Sequence, residues 1–232
     1  MRKLFLSLIL IFFSGFLHSQ NDRIQLDRYA EENKSLSRKP EVILIGNSIT
    51  ENWVRFHPDF FKNNNFIGRG ISGQTSEEIL ARFEQDVVSI KPKIVAILAG
   101  TNDIAENTGY VKTKDIVANI VAMCELAKEN AITPLICSVL PCSEFRWNPD
   151  VRDAGKRIVK LNKMLKKYAD ENGIIYVDYY SVTVDDNLGL PEKYSYDGCH
   201  PTSECYSIME RRLVVAVGNV TMNDKAYYVT PQ

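Results

Sequence analysis

Histidine is scarce in this chain, with three among 232 residues, at positions 18, 57 and 200. There is no Cys-x-x-Cys pair and no His-Glu-x-x-His helix, so the sequence offers no metal-ligand pattern. No run of Lys and Arg stands out, and 28 basic residues against 29 acidic ones leave a net charge of −1. That balance gives no global reason for nucleic-acid or anionic-membrane binding. Internal repeats, low-complexity tracts and long Pro/Gly/Ser linkers are also absent. No apolar run is long enough for an ordinary membrane span, which needs about 18 residues or more. The longest, Leu4–Leu17, has 14.

What is present is ordinary globular material, 45% hydrophobic and 25% charged, which excludes a disordered or collagen-like chain. Residues 1–20 place Arg2 and Lys3 before that apolar run and end in small or polar residues near Ser19 and Gln20. This is the layout of a cleaved secretory leader, favoured over an uncleaved anchor, and no cysteine sits at the cleavage point to suggest a lipid anchor. The expectation is export to the periplasm or outside the cell, with no stable membrane insertion once the leader is removed. Residues 21–232 then form a single domain, whose 26 basic and 29 acidic residues remain near balance.

Export permits disulfides. Cys137 and Cys142, or Cys199 and Cys205, are close enough in sequence to pair, and Cys124 makes the count odd. A domain of this size does not need such staples, and buried free thiols are the favoured alternative.

Short β-branched runs alternate with helical segments. Strands are expected at 41–46, 65–68, 94–99, 134–140 and 174–178. Their apolar character at every position suits strands covered on both faces. Helical stripes run over 113–130, over 151–172 with Gly173 as the stop, and from Pro201 to about Val217. The pattern predicts an α/β fold, a parallel sheet with helices on both faces.

In such a sheet ligands bind beyond the carboxyl ends of the strands. Three small-polar turns follow three successive strands there: Gly46-Asn47-Ser48-Ile49-Thr50, Arg69-Gly70-Ile71-Ser72-Gly73-Gln74-Thr75 and Gly100-Thr101-Asn102-Asp103. A nucleophilic serine also needs a base, a group orienting that base, and donors for an oxyanion. His18 lies in the leader and His57 in what reads as a polar loop, which leaves His200 in Asp197-Gly198-Cys199-His200-Pro201. An Asp three residues before a His can fold back to accept its Nδ1–H, leaving Nε2 free for a serine proton. The Ser48 and Gly73 N–H groups and the Asn102 amide are the candidate oxyanion donors.

These four blocks resemble the SGNH (GDSL-like) esterase family, over about Val42 to Met209. The resemblance implies a three-layer flavodoxin-like fold with a five-stranded sheet of order 2-1-3-4-5. It also implies Ser48 as nucleophile, Gly73 and Asn102 as oxyanion donors, Asp197 and His200 as acid and base, and no cofactor. One departure stands out: the family's first block commonly reads Gly-Asp-Ser, whereas here Asn47 replaces the Asp. The Gly-x-Ser-x-Gly elbow of the α/β-hydrolases is missing, which removes the competing serine-hydrolase fold.

The bland readings are specific. Ser48 could cap the helix after the first strand, and Asn102 could form a local Asx turn. Gly70 is expected to serve the turn alone, and Asp103 and Asp178 to cap or turn. Arg69 is not assigned to a substrate anion. Phe145, Arg146 and Trp147 either wall the pocket or form an ordinary surface loop. The substrate expected from export and a compact, lidless domain is a small ester, an acetylated carbohydrate in particular. The alternatives are a lysophospholipase or thioesterase of the same fold, or a non-catalytic glycan- or nucleotide-binding module.

Overall fold

The computed structural model describes residues 23–227, with side chains to residue 222; the leader expected over 1–20 lies outside that range. Five parallel strands form one sheet: β1 (Val42–Gly46), β2 (Phe66–Gly70), β3 (Ile94–Leu98), β4 (Thr133–Cys137) and β5 (Ile175–Val177). Their order is β2-β1-β3-β4-β5, as the family resemblance implies. Register runs Val42–Phe66 and Gly46–Gly70 between β1 and β2, and Val42–Ile94 between β1 and β3. The ends of β1, β2 and β3 are therefore level.

The continuous apolar runs resolve into alternation across two cores. Val42 and Leu44 of β1 join Ile94, Ala96 and Leu98 of β3 on one face, while Ile43, Ile45, Val95 and Ile97 point to the other. Each fully buried Val, Leu or Ile contributes about 1.5–3 kcal/mol, which is why a strand of this sequence stays in the middle of the sheet.

The helices are α1 (Ala30–Ser35), α2 (Ser48–Phe56), α3 (Pro58–Asn64), α4 (Ser76–Ala81), α5 (Thr101–Ile104), α6 (Thr113–Glu129), α7 (Ala154–Glu171) and α8 (Ser203–Tyr227). The first face of the sheet packs the Tyr206, Met209, Leu213 and Val217 stripe of α8. The second packs Ile116, Ile120 and Met123 of α6 and Ile158, Leu161 and Leu165 of α7. Helix α7 ends as its sequence predicts: Gly173 has φ +63° and Ile174 N donates to Ala169 O at 2.9 Å, a Schellman closure.

Several boundaries differ from expectation, three of them at the carboxyl end of an element by two residues or more. Strand β2 runs on to Gly70, β4 stops at Cys137, and α8 continues ten residues beyond Val217. Gly70 was expected to serve only a turn, but it ends β2 and lets α2 approach. A Cβ there would lie 2.2 Å from Glu51 N. The segment before β1 also has a role that its sequence does not announce. Tyr29 Oη donates to Gly70 O at 2.5 Å, and the Arg69 guanidinium lies 4.6 Å over the Tyr29 ring. The arm thus supplies a partner for the last carbonyl of the edge strand β2, which would otherwise present it unpaired.

Candidate active site

Helix α2 starts directly at the end of β1. Asn47 is its N-cap, with Oδ1 accepting from Ile49 N at 3.1 Å, so capping falls to Asn47 and Ser48 is the first helical residue. The side chain of Ser48 is thereby released to face the loop holding His200. Asn47 keeps the acceptor that an Asp would supply, while its buried Nδ2 finds no partner among the described residues.

The turn after β2 is tied to this helix. Glu51 Oε2 accepts from Ser72 N at 2.9 Å and also from Ser72 Oγ. Gly73 follows with φ +81°, a conformation that suits glycine. A Cβ at Gly73 would meet nothing within 4 Å, so positive φ rather than crowding by the protein accounts for the residue. Buried Arg82 on the turn after α4 locks the arrangement. It donates to Gly46 O (2.8 Å), Arg69 O (2.9 Å) and Gln74 Oε1 (2.7 Å), and pairs with Asp86 at 2.8 Å. Nothing in the sequence separates this arginine from a solvated helix residue; only its burial reveals the clamp.

Asn102, on α5, is 4% exposed, and its Nδ2 donates to Gln74 O at 2.9 Å. An amide nitrogen carries two hydrogens, so one remains. The N–H groups of Ser48 and Gly73 have no hydrogen-bond partner among the described residues. Asp103 accepts from Ser76 N (2.8 Å) and Ser76 Oγ (2.6 Å), fixing the start of α4, and burial raises its carboxyl pKa. Asp178 accepts from Ser181 N at 3.0 Å in a local turn. Both therefore do the structural work expected of them. Arg69 is buried against Glu32 (3.0 Å) and Asn33 (2.9 Å).

The loop before α8 supplies the remaining groups. Gly198 has φ +85°, which folds Asp197 back under His200. Asp197 Oδ1 accepts from Cys199 N (2.9 Å) and His200 N (2.8 Å), and Oδ2 lies 2.6 Å from His200 Nδ1. Partial burial pulls the Asp197 pKa up, but these hydrogen bonds outweigh it and bring it to about 2. A carboxylate only accepts, so Nδ1 carries the proton and Nε2 is the acceptor facing Ser48 Oγ at 2.9 Å. Ser48, His200 and Asp197 thus form a continuous relay.

His57, expected in a polar loop, instead stands at the junction of α2 and α3. Its Nδ1 lies 2.6 Å from Glu210 Oε1 and its Nε2 lies 2.6 Å from Ser203 Oγ. This second relay sits between the α2–α3 junction and α8, with Trp53 Nε1 also donating to Glu210 at 3.1 Å. Ser203 opens α8 rather than following a strand.

The cysteines are all free and buried, so neither candidate disulfide forms. Cys199 shares a core cluster with Cys142 while Cys205 lies in the other, and the neighbouring Cys142 thiol together with burial raises the Cys199 thiol pKa. Among the described residues no cluster of His, Cys, Asp or Glu could hold a metal ion. None of the described helices is long and apolar enough to cross a membrane.

A serine–histidine–aspartate relay at the carboxyl ends of a 2-1-3-4-5 sheet defines a class of hydrolase folds, and the comparisons with known proteins agree. Residues 44–208 match the model of the GDSL-like lipase/acylhydrolase family, and the chain belongs to that family. It is similar to the crystal structure of an acylhydrolase candidate from Bacteroides fragilis, with 48% identity and a TM-score of 0.83 over 85% of this chain and 97% of that one. A GDSL-like lipase from Bacteroides thetaiotaomicron gives 46% identity and a TM-score of 0.83 over 85% and 98% of the two chains. An acetylxylan esterase of Geobacillus stearothermophilus is 24% identical over 156 residues, 66% of this chain and 71% of that protein.

Proposed function

We propose that the protein is an exported serine esterase that releases short acyl groups, acetyl above all, from a carbohydrate. One observation carries the chemistry: the Ser48 Oγ–His200 Nε2 separation of 2.9 Å, with Asp197 2.6 Å behind the imidazole. Ser48 Oγ attacks the ester carbonyl while His200 Nε2 takes its proton, and ionised Asp197 stabilises the imidazolium. The tetrahedral oxyanion is met by the N–H groups of Ser48 and Gly73 and by the free amide hydrogen of Asn102. His200 then protonates the departing alcohol oxygen, leaving an acyl-Ser48. Water, deprotonated by the same imidazole, releases the acid and restores the serine.

The carbohydrate acetyl ester is supported by the leader-like residues 1–20 and by the acetylxylan esterase relative. A fluorophosphonate probe tests the mechanism. Mass spectrometry is expected to find the adduct on Ser48, absent in Ser48→Ala and strongly slowed in His200→Ala. Labelling elsewhere, or none, would remove the mechanism. Acetylated sugars should be cleaved faster than C8–C16 esters and acyl-thioesters; the reverse order would remove the substrate class.

A further inference from the structure

The loop between β4 and α7 presents an exposed tryptophan beside the relay. Trp147 is 45% exposed, and its ring centroid lies 6.0 Å from that of His200 with 38° between the planes. Its counterpart Trp53 is 1% exposed, in the core. Leaving a large aromatic half in water forgoes apolar burial, yet this indole is held in place. Its underside packs on buried Phe145 at 5.0 Å, and Nε1 donates to Asn107 Oδ1 at 3.1 Å. Asn107 in turn donates through Nδ2 to Gly73 O at 3.2 Å, and its N–H bonds Asn102 O at 3.0 Å. The indole is therefore braced, through Asn107, against two of the three elements that carry the proposed oxyanion donors.

Tyr196, the residue before Asp197, is 78% exposed, and Arg146 Nη1 reaches Tyr196 O at 3.4 Å. The exposed large apolar side chain shown against His200 is thus an aromatic with a polar edge, whereas exposed aliphatic residues such as Val214, Val215 and Met222 lie along α8.

The side of the cleft decides what the platform contacts. His200 delivers its proton to the leaving oxygen, so the alcohol part of an ester lies on the imidazole side, while the carbonyl oxygen points to the Gly73 and Asn102 donors. Trp147 flanks the imidazole. We infer that Trp147 is a stacking platform for the alcohol part of the substrate, and that the group it takes is a pyranose ring. A pyranose has a flat C–H face that stacks on an indole and a rim of hydroxyls that stays hydrated at an open cleft, which fits a rigid, polar-edged aromatic in water. An aliphatic chain would call for an enclosed apolar wall. The inference rests on the esterase reading and adds the residue that selects the alcohol.

The test measures kcat/KM of wild type and Trp147→Ala on acetylated methyl pyranosides, p-nitrophenyl acetate and p-nitrophenyl octanoate. The expected result is a loss on the pyranosides about tenfold larger than that on p-nitrophenyl acetate, carried by KM, with Trp147→Tyr recovering most of it. Equal losses on all three esters would make the indole a mere brace and overturn the inference. A selective loss on the octanoate would make it an acyl wall and overturn it equally.

A binding readout needs no turnover. In Ser48→Ala protein the pyranoside ester should shift tryptophan emission, because Trp147 is the half-exposed one of the two tryptophans. An unchanged spectrum at saturating ester would count against the platform. If wild type cleaves aryl acetates and no acetylated sugar, the platform falls and the esterase stands. If it cleaves no ester at all, the esterase reading itself has failed.

Discussion

Two serine–histidine–carboxylate relays lie on one molecule, and their contrast shows what a site requires beyond the relay. Ser203–His57–Glu210 has distances of 2.6 and 2.6 Å, against 2.9 and 2.6 Å for Ser48–His200–Asp197. By proton-transfer geometry alone the former is at least as good. Its imidazole and carboxylate are the more enclosed, with His57 and Glu210 side chains 14% and 18% exposed against 31% and 37% for His200 and Asp197, but Ser203 itself is exposed. What distinguishes the Ser48 relay is its surroundings. It stands at the level ends of β1, β2 and β3, where the turns after β2 and β3 set Asn102 beside Gly73, the proposed oxyanion donors. The His57 relay ties the α2–α3 junction to α8, whereas the Ser48 relay stands beside the proposed oxyanion donors and is the one placed to stabilise a developing charge.

The sharpest way to break this comparison is to remove a donor and keep the relay. Asn102→Ala is expected to lower kcat by about 10²–10³ with little change in KM. Steady-state kinetics on p-nitrophenyl acetate reads it, and a loss below about threefold would mean that the amide is only a brace for Gln74.

A smaller effect is expected at the other relay. His57→Ala should leave ester hydrolysis within about twofold of wild type yet cost about 1–3 kcal/mol of stability, because Glu210 and Ser203 lose their shared partner. Urea denaturation measures the second quantity. A collapse of turnover in folded His57→Ala protein would give that relay a catalytic part.

The smallest effect is a pH dependence. The Asp197 pKa is depressed from 3.8 to about 2. Its carboxylate therefore adds stability that is fully present above about pH 4 and lost as pH falls through about 2. Since the group is more than a third exposed, solvent screening holds that contribution below about 1 kcal/mol. The stability gap between wild type and Asp197→Asn should narrow over that window in urea titrations. A gap that persists unchanged at pH 1.5 would contradict the assignment.

The parts of the molecule legible in the sequence share a cause: each depends on local order. The runs at Val42–Gly46 and Ile94–Leu98 are buried on both faces, so their composition alone marks them as interior strands. Gly173 after α7 and Gly198 before His200 mark backbone that must turn with positive φ. Asp197, three residues from His200, needs only one tight loop to reach Nδ1. The contacts that local sequence does not show lie across the fold. Cys199 meets Cys142 rather than its sequence neighbour Cys205. Gly70 serves helix packing, and Arg82 gathers carbonyls from two strands. His57, dismissed as a loop residue, bridges helices whose contact groups are 146 and 153 residues apart.

By itself the sequence determined the alternation of buried strands and amphipathic helices, and the identity of the groups able to carry acyl-transfer chemistry, because hydrophobic period and turn chemistry act over a few residues. Tertiary structure decided which serine meets which histidine, which thiols adjoin, and that one tryptophan stands half in water beside the imidazole. Those outcomes depend on the register of five strands and on the crossing of α2 with α8, distances that no local stretch of chain encodes.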